Sequence, residues 1–164
     1  MFCPNPTIVC IGQAVIDYRF TVDQIPSRAE KYKASSFQAL PGGMAAGAAI
    51  AAARLGARVV LVSRVGSDST ADTLLAFLAN EGIDSQFIER VEGCHTAVSS
   101  ICIDPHGERQ VVHAPTEAFH RGHPIDVEQL PLANALLVDP RWPEASYAAL
   151  QWARRNSIPS LLDA

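Results

Sequence analysis

Cations are in the minority in this sequence: 13 Lys and Arg stand against 17 Asp and Glu, a formal net charge of −4 over 164 residues. Without a basic excess there is no footprint for a phosphate backbone, which excludes nucleic acid as a partner. Long apolar runs are missing too. Although 48% of the residues are hydrophobic, no stretch reaches the roughly 18 uninterrupted apolar positions of a membrane helix. The most apolar-looking run, Ala45 to Leu55, is mostly alanine and contains Arg54. The opening "MFCPNPTIVC" lacks the basic segment and apolar stretch of a secretion signal. Cysteine is sparse, and Cys3, Cys10, Cys94 and Cys102 form no C-x-x-C pair. They read as buried thiols of a cytoplasmic protein rather than as a zinc or disulfide framework. His120 and His123 have no further ligands at sensible spacing, so no metal site is expected. There is no G-x-x-x-x-G-K-[ST], and no glycine fingerprint follows the first core strand, so neither common nucleotide-binding loop is present.

What is there is an alternation of strand-length apolar runs with helical patterns: "TIVCIG", a helix opening at Gly43, "RVVLVSRVG", "ADTLLAFLANEG", "ANALLVD", "EASYAALQWARR" and "IPSLLDA". That order predicts an α/β domain with a mostly parallel sheet covered by helices. In the second helix Ala71, Leu74, Leu75 and Leu78 share one face, Asp68 or Ser69 can cap the start, and Gly82 ends it. The last run, "SIPSLLDA", reads as a buried strand with nothing after it to cover it. The chain is therefore expected to be the front part of a longer polypeptide, against the alternative of an edge strand closing a small complete domain.

Two segments interrupt this rhythm. In "AVIDYRFTV" the residues Ile16, Tyr18, Phe20 and Val22 alternate with Asp17, Arg19 and Thr21, as in an exposed antiparallel strand. In "HTAVSSICIDPHGERQVVHAP" the turn residues Asp104 to Gly107 separate two strand-like runs. With "KYKASSFQA" these predict a small accessory sheet from residues 14–39 and 95–114, folded over the main domain as a lid. Its apolar face needs a cover, either the main domain or a second copy of the protein, and a homodimer through that sheet is expected.

The stretch "PGGMAAGAAIAAARLG", Pro41 to Gly56, places two glycines directly ahead of an alanine-rich helix. Such a pair lets a ligand approach the backbone without a Cβ in the way, and it exposes the helix's first N–H groups as donors. Both uses suit a polar ligand; the alternative is a turn that joins a lid strand to a tightly packed helix.

The longer run "GGMAAGAAIAAARLGARVVLVSRVGSD" resembles the first signature of the PfkB, or ribokinase-like, family of carbohydrate kinases, down to its A-R-L-G helix end and V-G-x-D. Asp17 shortly after the first strand, "EGID" after the second helix and the D-x-x-G-E-R hairpin "DPHGER" add to it. Within that family "EKY", the hairpin, "VDPRW" and "LLDA" are most similar to the 6-deoxy-6-sulfofructose kinase branch. The resemblance implies a ribokinase-like three-layer α/β/α sandwich, incomplete, with a small β-sheet lid, residues 1–164 being the N-terminal part of a single domain. It also implies ATP-dependent phosphorylation of a sugar hydroxyl.

By the same resemblance Asp17 matches the residue that holds sugar hydroxyls, and Gly42 and Gly43 match a close-approach pair. In the sulfofructose kinase branch a Lys, an Asn and an Arg read the sulfonate. Lys31 matches the first and Arg141 the third, and His113 stands in place of the second. Gly47 replaces an Asn of the usual ribokinase signature, as in that branch. Arg141 follows an apolar strand at its C-terminal end, where open α/β sheets place their ligands, and its planar fork suits phosphate or sulfonate. The expected substrate is thus an anionic ketose, 6-deoxy-6-sulfofructose or a ketose 6-phosphate. Read without the resemblance, Arg141 can instead pair with Asp139 or Glu144, and Lys31 and Asp17 can be solvated lid residues. The family's D-T-x-G-A-G-D segment, which carries the catalytic base, and its magnesium-associated N-x-x-E do not occur before Ala164. No catalytic residue is therefore expected in this chain, and the ATP and Mg sites are expected beyond it. The competing reading is a non-catalytic sugar-binding or dimerising module of the same fold.

Overall fold

The structure is a computed structural model and describes residues 5–163, so Cys3 and Ala164 lie outside it. Five strands, β1 (Thr7–Ile11), β4 (Arg58–Gly66), β5 (Ile88–Val91), β8 (Ala135–Val138) and β9 (Ser160–Leu162), form one sheet in the order β5-β4-β1-β8-β9, every pairing parallel. Residue alternation in these strands divides the apolar side chains between two faces. Val9, Ile11, Val60, Val62, Leu136 and Val138 pack with Trp142, Ala145, Ala149 and Trp152 at the start and along α4 (Pro143–Arg155). Cys10, Val59, Leu61 and Val65 pack on the other face against α1 (Met44–Arg54) and α2 (Ser69–Asn80). The result is the expected three-layer sandwich. Ala45, Ala46 and Ala49 are fully buried, so alanine lets α1 lie close against β1 and β4.

The helix limits follow the sequence signals. The Asp68 carboxylate accepts from the Ala71 N–H at 2.9 Å, which makes Asp68 rather than Ser69 the cap of α2. Gly82, at φ 71°, supplies the left-handed turn just past its end. Burial alone would raise the Asp68 carboxyl. Hydrogen bonds from the Thr96 hydroxyl, the Thr96 and Ala71 N–H groups, and the charge of His95 outweigh burial and hold it below the usual carboxylate value. A short helix, α3 (Ala118–Arg121), and a 3-10 turn over Val127–Gln129 cover the α4 side.

The accessory sheet has the order β3-β2-β6-β7, from β2 (Val15–Val22), β3 (Ala34–Gly42), β6 (Val98–Ile103) and β7 (Arg109–Ala114). Two details differ from expectation. β2 is antiparallel to β3 but parallel to β6, because β6 enters the sheet from the main domain rather than from a hairpin with β2. β3 also runs on to Gly42, so the first glycine of the pair is a strand residue. The domain itself covers the inner end of the lid's apolar face: Ile16 is fully buried, and Tyr18 and Ala39 pack on the α1–α2 cluster.

β9 is left uncovered, as its sequence reading expects. It pairs with β8 at the edge of the sheet, and Leu161 and Leu162 are 59% and 51% exposed, because no helix covers them among the described residues. Cys10 is buried, which pushes its thiol up to about 12, whereas Cys94 and Cys102 are only half-buried; all three are free. Among the described residues no helix is long and apolar enough to cross a membrane.

Candidate functional site

β1 and β8 are neighbours in the sheet, but the chain leaves β1 toward β4 and later returns on the other side. Open α/β sheets form their ligand crevice at such a switch point, outside the carboxyl ends of the strands. Two short connections meet there: Gly12 to Ala14 after β1, and Asp139 to Trp142 after β8.

Asp139 joins them. Its fully buried carboxylate accepts the N–H groups of Gln13 at 2.8 Å, Ala45 at 3.1 Å and Arg141 at 2.8 Å. A Cβ on Gly12 would overlap this carboxylate. α1 has no capping side chain of its own, since its N-cap is Gly43. Asp139 caps it from 94 residues away, and the Gln13 carbonyl accepts the Ala46 N–H at 3.3 Å. The expectation that the helix's first N–H groups are free for a ligand is therefore corrected for two of them. Those of Ala45 and Ala46 are already held by the protein, because a buried N-terminus needs acceptors wherever the fold can bring them.

The glycine pair acquires a structural role from the same geometry. Gly43 has φ 95° and ψ 147°, and a Cβ there would overlap the Gln13 carbonyl oxygen. A Cβ on Gly42 would overlap the Asp17 carboxylate. The atoms that come so close to the helix start belong to this chain: the β1–β2 connection and Asp17. Gly47, by contrast, has open space beside it.

Above the crevice lies an open cleft of about 430 Å³, walled by the lid. Asp17, Gly43, His113 and Arg141 line it together with Gln13, Ser99 and Arg109. Four of the six residues singled out from the sequence thus share one cleft, and Gly42 abuts it through Asp17. Lys31 does not: it lines a separate depression at the far end of the lid with Asp23, Glu30 and Lys33. His113 links lid to domain, with Nδ1 3.2 Å from the Ser99 hydroxyl and Nε2 3.3 Å from the Gln13 side-chain nitrogen. With the Gln13 amide donating to Nε2, Nδ1 carries the proton and donates to Ser99. Arg141 meets Asp139 through its backbone N–H, and its guanidinium forms no ion pair with Asp139 or Glu144.

A second hollow of about 400 Å³ opens beside α4 around Arg64 and Trp142. Buried Arg64 donates to Glu89 at 2.7 Å and to the Phe119 carbonyl at 2.9 Å, and lies 4.2 Å above the Trp142 ring. His123 also holds Glu89, at 2.6 Å. These groups satisfy one another and read as packing. Among the described residues no three His, Cys, Asp or Glu side chains gather as metal ligands.

Asp139, Gln13, Ser99 and Arg109 did not emerge from the sequence as site residues. For Arg109 the signal existed, since residues 109, 111 and 113 of a strand share one face. For Asp139 the only signal was its place directly after an apolar strand.

Comparison with known proteins agrees with this architecture. A profile of the pfkB family carbohydrate kinases matches residues 5–163. A ribokinase of Bacillus subtilis is 28% identical over 160 residues, 95% of this chain and 54% of that protein. A crystal structure of a ribokinase candidate from Agrobacterium tumefaciens superposes with a TM-score of 0.92 at 34% identity, covering 97% of this chain and 52% of the other. The Arabidopsis thaliana ribokinase solved with ribose and ATP shares the fold, with a TM-score of 0.78 at 22% identity over 98% of this chain and 54% of its own. The chain spans about half the length of the curated relatives it matches. With a matching profile along its whole described length, the chain belongs to the pfkB family of carbohydrate kinases.

Proposed function

We propose that this chain supplies the sugar-holding part of an ATP-dependent kinase that phosphorylates a hydroxyl of an anionic ketose, 6-deoxy-6-sulfofructose or a ketose 6-phosphate. The observation that carries it is the meeting of one carboxylate with basic groups in a single cleft: Asp17 on the lid faces the same space as Arg141 on the domain and His113 on β7. A carboxylate accepts hydrogen bonds from sugar hydroxyls, while a guanidinium with no internal partner is free to take phosphate or sulfonate oxygens through paired N–H donors. His113 can give its Nε2–H to the sugar once the Gln13 side chain moves aside and the Ser99 hydroxyl donates to Nδ1. Bound ATP would supply the phosphoryl group. The part assigned to Asp17, His113 and Arg141 is to bind and orient the sugar. The free thiols of Cys10, Cys94 and Cys102 suit a reducing compartment, the cytoplasm.

The test is a substrate pair in the protein expressed from its full native reading frame. Arg141→Ala should raise KM for fructose 6-phosphate or 6-deoxy-6-sulfofructose by about 10- to 100-fold, the worth of one charge-assisted contact. For fructose the change should stay within about twofold, since no anion is read. Equal losses on charged and neutral sugars would end the anionic reading. Lys31→Ala, from the separate depression, should leave both values within about twofold. A large effect there would mean that residues 23–33 fold over the cleft when the sugar is bound.

We also propose that two chains pair through the lid. The outer part of its apolar face carries Phe37 and Val112, which are 56% and 68% exposed, and among the described strands β7 leaves one edge unpaired. Sedimentation should give a dimer, and a folded monomer at high concentration would overturn the pairing.

A further inference from the structure

We infer that Arg109 is a specificity-determining residue that holds the anionic group of the sugar together with Arg141; this rests on the anionic-sugar reading above. The register of the lid brings it there. Arg109, Val111 and His113 alternate along β7 onto the face that lines the cleft, and across from them on β6 stand Ile103, Ile101 and Ser99. Arg109 therefore opens into the same space as His113, from the lid side, while Arg141 enters from the domain side.

Arg54, Arg64, Arg90 and Arg155 each hold a carboxylate at 2.5–2.7 Å. Neither Arg109 nor Arg141 has a side-chain hydrogen bond or ion pair among the described residues, yet both face one cleft whose only acidic lining group is Asp17. Arg28, Arg58 and Arg154 also lack side-chain partners among the described residues, but Arg109 and Arg141 are the two arginines that line this cleft. Two like charges lining one cleft with a single carboxylate leave an uncompensated positive potential that an anion would neutralise. At the helix start nearby, the Asp139 carboxylate and the Gln13 carbonyl already hold the Ala45 and Ala46 N–H groups. Lys31, the other cation expected from the sequence, lines a different depression. An anionic group bridging Arg109 and Arg141 ties lid to domain, so the charge that is read also favours closure over the sugar.

Arg109 is exposed on an edge strand, so its replacement leaves the core intact. The experiment compares wild type, Arg109→Gln and Arg109→Lys in the protein from its full native reading frame, with fructose, fructose 6-phosphate and 6-deoxy-6-sulfofructose as probes. For the preferred anionic sugar Arg109→Gln should raise KM about tenfold or more with kcat within about twofold, while KM for fructose moves less than about twofold. Arg109→Lys should recover part of the loss, and the wild-type preference for the anion should weaken with added salt more steeply than that of Arg109→Gln. An equal rise for all three sugars, or none, would overturn the assignment of Arg109. A wild-type protein that does not prefer either anion over fructose would instead remove the anionic reading itself, and Arg109 with it.

Discussion

Asp139→Ala is expected to cost the fold about 4 kcal/mol, the largest loss of any single substitution considered. The carboxylate is fully buried and is the only side-chain acceptor of the Gln13, Ala45 and Arg141 N–H groups. Each donor left without an acceptor costs about 1–3 kcal/mol, and water entering the emptied space can repair only part of it. The loss also removes the cap of α1, a contribution of about 1 kcal/mol in other helices. Denaturant unfolding should show a lower midpoint with an unchanged slope. Asp139→Asn, which keeps the volume and one acceptor oxygen but turns an amide donor toward one of the N–H groups, should fall about halfway between. A loss below about 1 kcal/mol for the alanine variant would show that the two connections and the start of α1 hold their shape without the carboxylate. Because Arg141 begins its turn on this carboxylate, sugar binding should fall with stability.

Gly43→Ala should be the next most damaging, at about 3 kcal/mol or more. At φ 95° and ψ 147° the residue sits where L side chains are strained, which costs about 1–3 kcal/mol by itself. The added methyl would also overlap the Gln13 carbonyl, backbone that cannot swing aside because it accepts the Ala46 N–H. Gly82→Ala separates the two contributions. Gly82 also has positive φ, 71°, but nothing lies within 4 Å of the place its Cβ would take. That variant should lose only about 1–2 kcal/mol. Thermal unfolding of both proteins makes the comparison, and equal losses would mean that the overlap at Gln13 is relieved at no cost.

Much of this protein can be read along the chain. Alternation within "TIVCI" and "RVVLV" assigns side chains to two faces, and the spacing of Ala71, Leu74 and Leu78 assigns one face of α2; the fold buries them accordingly. These are local properties: a strand repeats every two residues and a helix every 3.6, so neighbours in sequence reveal which face each residue joins. The glycine pair, the Asp68 cap and the Gly82 stop are local as well. So are the motifs of the pfkB family, which lie in continuous segments.

The site is legible only in part, because its geometry is set between segments far apart. Asp17 and Arg141 could be picked out by type and position, but nothing near Asp139 in sequence shows that its partners are Gln13 and Ala45. Lys31 and Arg109 make the same point in opposite directions. Both are lid cations, yet the strand register of β7 turns Arg109 to the cleft, while Lys31 precedes β3 and falls outside it. The sequence by itself determined the elements, their buried faces and the family, since propensity, periodicity and motif act over a few residues. Only the tertiary structure decided that β2 runs parallel to β6, that the start of α1 is filled by Asp139, and which cations share a cleft with Asp17. Those outcomes depend on strand pairing and on the satisfaction of buried N–H groups across long loops, which no local pattern encodes.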